Sequence, residues 1–150
     1  GAMLVWTHRD PVKTFSSLSS MISSFLAAVG APQDDHAIGR SVLDTWSAAM
    51  ARASEARSSR PDIEGRILDL AHAEIVADPV AAVESIYARF ELPLSDEHRF
   101  RIGTFLAGNP AASRLGKHKH SPEQFGIDPD EVRERLAVYY ERYGHLLGRA

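Results

Sequence analysis

The sequence predicts a mainly helical chain with two short strands. Apolar residues recur at three- and four-residue spacing over several long stretches, which is the period of a helix with one buried face. Three Asp-Pro pairs, at Asp10-Pro11, Asp78-Pro79 and Asp128-Pro129, stand before such stretches, where the carboxylate can cap and the proline can open a helix. Only Leu4-Val5-Trp6-Thr7 and Arg66-Ile67-Leu68-Asp69-Leu70 read as strands, both short and β-leaning.

In order, Leu4 to Thr7 forms the first strand, His8-Arg9-Asp10-Pro11 turns it, and a helix runs from Pro11 to about Val29. Phe15, Leu18, Ile22, Phe25, Leu26 and Val29 give that helix its apolar face, and Gly30 with Pro32 stops it. A second helix is predicted from Asp34 to Ser58, with Ile38, Val42, Trp46, Met50 and Ala53 buried. Gly65 bounds the second strand, expected to lie parallel to the first. Asp78 caps a helix carrying Val83, Ile86, Tyr87 and Phe90, closed by Pro93; Ser95 caps another, whose Asp96 and Glu97 suit the positive end of the dipole. Gly108-Asn109-Pro110 ends it, and an irregular basic stretch follows from Ser113 to Pro122. Asp128 then caps a last helix, with Glu131 placed for a capping box and Val132, Leu136, Tyr139, Tyr140 and Tyr143 on its apolar side.

Composition narrows the function. The chain has 150 residues, 44% apolar and 25% charged, which suits a soluble globular domain. A net charge of −3 leaves no global positive field for nucleic acid or an acidic membrane, although a local basic patch can hold a small anion. With no cysteine there is no disulfide framework, thiolate metal site or thiol nucleophile, and the expectation is a cytoplasmic protein. No apolar run approaches membrane-spanning length. Gly1-Ala2-Met3 reads as the scar of an expression tag, so the domain is taken as residues 4–150.

The chemistry concentrates at the first turn. A strand-to-helix corner offers amides and dipole to an anion, and Arg9 adds a planar fork of donors suited to phosphate. Lys13, Ser17, Ser20 and Ser24 share one side of the helix that follows, a stripe that fits an ordinary solvated face or the flank of a bulky nucleotide phosphate. His118 and His120 alternate as metal ligands can, but no third ligand is placed with them. Tyr139, Tyr140 and Tyr143 have core spacing rather than that of a base-stacking platform, and Glu74 and Asp78 fit a helix start better than an acid–base pair.

Thr7-His8-Arg9-Asp10-Pro11, with Ser17 following Arg9 at the family's spacing, resembles the 3′-phosphate-binding strand and helix of sulfotransferases. Asp69-Leu70-Ala71-His72-Ala73-Glu74-Ile75-Val76-Ala77-Asp78-Pro79 and Leu92-Pro93-Leu94-Ser95-Asp96-Glu97 resemble later blocks of that family. Gly116-Lys117-His118-Lys119-His120-Ser121-Pro122-Glu123-Gln124-Phe125-Gly126 resembles its C-terminal basic loop. The resemblance implies the helical C-terminal part of an α/β, P-loop-like sulfotransferase fold, in a parent that moves a sulfuryl group from 3′-phosphoadenosine 5′-phosphosulfate to a hydroxyl or amine acceptor. It implies that Arg9 and Ser17 hold the 3′-phosphate, that Lys117 with His118 or Arg114 closes over it, and that His72 lies near the adenine. Adenosine 3′,5′-bisphosphate would be the product left bound.

The Gly-rich loop that would cradle the 5′-phosphosulfate does not occur in these residues, and no catalytic residue is assigned among them. A truncated enzyme domain, inactive alone, is therefore the expectation. The second reading is a non-catalytic helical interaction module on the same framework. A first strand without neighbours would also expose Leu4 to Thr7 and favour self-association.

Overall fold

The structure, a computed structural model, describes residues 2–109 and 120–148. It divides into two compact units, Gly1–His8 with Gly65–Lys119, and Arg9–Glu64 with His120–Ala150.

In the first unit, strands β1 (Leu4–His8) and β2 (Ile67–Ala71) pair in parallel, in register from Leu4 opposite Ile67 to His8 opposite Ala71. A buried polar contact reinforces the ladder: His8 Nε2 lies 2.7 Å from Asp69 Oδ1, His8 is 0% exposed, and Trp6 stacks on its ring at 5.3 Å between centroids. Helices α4 (His72–Ala77), α5 (Pro79–Arg89) and α6 (Asp96–Gly108) follow β2. Asp78 accepts from the Ala81 amide and Ser95 from the His98 amide, so both predicted caps form. The α4 helix lacks a side-chain cap, and the sequence carried no signal for it. The α5 helix ends ahead of Pro93, because the chain turns left-handed at Glu91 (φ 53°).

The second unit holds α1 (Pro11–Ala28), α2 (Asp35–Ser58), α3 (Pro61–Glu64), a 3-10 turn (Glu123–Phe125), α7 (Pro129–Arg135), α8 (Ala137–Tyr143) and a closing 3-10 turn (Gly144–Leu146). Val12, Phe15, Ile38, Val42, Leu43, Phe125, Ile127, Val132, Leu136, Tyr139 and Tyr143 are among its buried apolar residues, and burying a large one fully stabilises the fold by about 1.5–3 kcal/mol. Gly30 takes φ +68° and stops α1 as predicted. The Arg57 guanidinium, almost wholly buried, forks onto Glu64 at 2.8 and 2.7 Å and so ties α3 to the end of α2.

Three details depart from the expectation. On α1, Phe25 and Val29 are 67% and 61% exposed, whereas Ser16, Ser19, Ser20 and Ser23 are buried. Helix α1 packs on α2, where Ser23 donates across to Asp35 at 2.8 Å, and the buried side of α1 includes these serines as well as Phe15. On α2, Trp46 and Ala53 are exposed; the buried line runs Ile38, Gly39, Val42, Leu43, Ser47, Ser54, Arg57. Counting strictly by fours rotates about 40° per step off a helix of 3.6 residues per turn. The last predicted helix is two, broken at Leu136, and its capping box does not close. Asp128 accepts from the Asp130 amide, but Glu131 instead takes Arg40 at 3.1 Å and Arg135 at 2.7 Å.

Candidate functional site

Arg9 is exposed immediately before Asp10, and Lys13 lies one turn into α1, also exposed. Ser17, a further turn on, is half-buried. None of the three side chains forms a hydrogen bond or ion pair among the described residues. Among the described residues, two cations and a hydroxyl are thus left uncommitted, Arg9 just ahead of α1 and Lys13 and Ser17 within its first two turns.

The helix end itself is taken. Asp10 Oδ1 accepts from the Val12 amide at 2.9 Å and from the Tyr140 hydroxyl at 3.3 Å. Burial, with the Asp10 carboxylate next in weight, pushes the Tyr140 phenol well above its usual range, so it remains a donor. The sequence had offered the first-turn amides to an anion. With a carboxylate already there, an incoming anion is repelled from the end and favoured along the side, beside Lys13 and Ser17.

The stripe itself is only partly open. Ser20 is buried, and Ser24, though exposed, donates to the Ser20 carbonyl at 2.8 Å. Flanking it is a pair that the sequence did not announce: Ser16 Oγ stands 2.7 Å from His120 Nδ1, across 104 positions of chain. The only available signals were that Ser16 neighbours Ser17 and that His120 ends the basic stretch.

His72 opens α4 in the first unit and is half-buried. Arg9 and Ser17 belong together in the second unit. Arg114, Lys117 and His118 lie outside the described residues. Among the described residues, no helix is long and apolar enough to cross a membrane.

A family model described as the sulfotransferase family matches residues 1–96. Among solved structures, the chain is similar to sulfotransferase STF9 from Mycobacterium avium, with a TM-score of 0.81 and 24% identity over 99% of this chain and 38% of that one. It is also similar to sulfotransferase STF1 from Mycobacterium tuberculosis H37Rv, with a TM-score of 0.68 and 26% identity over 91% of this chain and 33% of that one. The chain therefore spans between a third and two-fifths of the length of these structures. No curated protein matches it.

Proposed function

The chain belongs to the sulfotransferase family, and on that footing we propose that it supplies the 3′-phosphate seat of an enzyme using 3′-phosphoadenosine 5′-phosphosulfate. The observation that carries the reading is the uncommitted trio of Arg9, Lys13 and Ser17 beside an end already capped by Asp10. Arg9 would grip the phosphate by its planar fork, Ser17 would donate its hydroxyl, and Lys13 would add charge without fixed geometry. The fit is to a dianionic group lying along the helix, as the 3′-phosphate of a nucleotide can.

The bound nucleotide supplies the sulfuryl group that is transferred. This chain's part is to hold and orient the nucleotide, and no proton transfer is assigned to its residues. On this reading the 150 residues bind nucleotide weakly and do not transfer sulfuryl alone, because no Gly-rich loop for the 5′-phosphosulfate occurs in their sequence. The acceptor is a hydroxyl or amine. A cytoplasmic setting is part of the same proposal, drawn from the cysteine-free sequence.

Titration calorimetry with adenosine 3′,5′-bisphosphate tests the seat. Arg9→Ala is expected to weaken binding about tenfold or more, since a charge-assisted hydrogen bond is lost, and Ser17→Ala by less. Affinity indifferent to Arg9→Ala would reject the placement.

A further inference from the structure

Resting on the nucleotide reading above, we propose that His120 is a further ligand of the bound phosphate, its ring oriented by Ser16 so that Nε2–H faces the anion. The Ser16 hydroxyl is 1% exposed and so has no water to turn to, and it stands 2.7 Å from His120 Nδ1. A hydroxyl donating into Nδ1 fixes the neutral tautomer with the proton on Nε2, which makes the far side of the ring a donor.

The location gives that donor a target. Ser16 lies three residues after Lys13 and four before Ser20, so the ring resting on it borders the side of α1 that carries Lys13 and Ser17. The imidazole is half-buried, which leaves part of it open to a ligand. The chain next to it is held as well: Gln124 Nε2 donates to Asp35 at 3.0 Å, and the Phe125 ring is 0% exposed. An anion on the stripe would then meet Arg9, Lys13, Ser17 and an imidazole N–H whose position is fixed before binding, which spares ordering entropy.

The two ring nitrogens can be tested separately. Asparagine places its amide near the position of Nδ1, and glutamine near that of Nε2. With the whole chain, calorimetry would compare adenosine 3′,5′-bisphosphate with adenosine 5′-monophosphate, which lacks the 3′-phosphate. His120→Ala and His120→Asn are expected to weaken the bisphosphate about tenfold and leave the monophosphate unchanged, while His120→Gln retains most of the affinity.

Unchanged affinity in His120→Ala, rescue by asparagine rather than glutamine, or equal loss for both nucleotides overturns the role of His120 while Arg9→Ala still shows its loss. If the parent chain does not prefer the bisphosphate, or Arg9→Ala has no effect, the nucleotide reading fails and this proposal with it. Imidazole nitrogen resonances of the unmutated chain give a readout that needs no variant to fold. Bisphosphate is expected to shift a histidine Nε2 signal that the monophosphate leaves in place, and a spectrum with no such shift overturns the assignment.

Discussion

Replacing Gly39 by alanine sets two effects of opposite sign against each other. Gly39 lies inside α2, where alanine is intrinsically favoured by about 0.8–1 kcal/mol. A Cβ built there, however, falls far inside contact distance of the Phe125 carbonyl oxygen and meets the Phe125 carbonyl carbon and Cβ at 2.9 Å. The obstacle is backbone, so no rotamer change relieves it; the 3-10 turn must back away from α2 by roughly 1.5 Å to reach an ordinary contact. That movement unseats the wholly buried Phe125 ring, and overpacking of this kind costs about 1–3 kcal/mol, or more where the neighbour is stiff. Steric cost wins, for a net loss of about 1–2 kcal/mol. Gly103 in α6 is the control, since nothing lies within 4 Å of its Cβ position, and alanine there should stabilise by about 0.5–1 kcal/mol. Urea titration reads both, with a midpoint roughly 0.5–1 M lower for Gly39→Ala and higher by about half as much for Gly103→Ala. A Gly39→Ala chain as stable as its parent would refute the reasoning. Because the displaced turn adjoins His120, the same variant is expected to weaken bisphosphate binding.

Asp10→Ala should cost about 1 kcal/mol by uncapping α1, whereas Asp10→Asn keeps most of the cap; thermal melts separate the two. Asp10→Asn also removes a carboxylate beside the phosphate seat, so calorimetry is expected to show tighter, not weaker, bisphosphate binding. The Gln124 amide, and then the Ser23 hydroxyl, hold the Asp35 carboxyl below its ordinary 3.8. The stability this adds is present above that value and lost as pH falls through the lower folded-state pKa, so the deficit of Asp35→Asn in urea titrations narrows in acid; a deficit constant down to strongly acid pH would reject the linkage. Among the described residues β1 pairs with β2 alone, and Leu4 and Val5 are 51% and 40% exposed on a strand with no charge or proline. Concentration-dependent association is expected in light scattering, reduced in Val5→Lys, and a monomer at all concentrations would count against it.

Much of this fold was legible because its signals are local. Asp10, Asp78, Ser95 and Asp128 each cap the helix that their position announces, since a carboxylate or hydroxyl reaches an amide two or three residues away whatever the rest of the chain does. The parallel pairing of the two short strands also stands. What was not legible depends on distant partners. Phe25 and Val29 have helical spacing but no neighbour among the described residues covers them, and Glu131 leaves its cap for Arg40, 91 positions away. In the candidate site, the order of Arg9, Lys13 and Ser17 at the start of α1 follows from the sequence, but the Ser16–His120 contact and the Tyr140 hydroxyl on Asp10 do not.

The serine-lined side of α1 carries a thermal consequence. Unfolding α1 wets the buried hydroxyls of Ser16, Ser19, Ser20 and Ser23 where a leucine-faced helix would wet hydrocarbon. Polar exposure lowers the heat capacity of unfolding and apolar exposure raises it, so the two contributions partly cancel in this helix. Its unfolding therefore follows a flatter stability curve than that of a greasy helix, changing little between cold and body temperature and gaining little from mild warming.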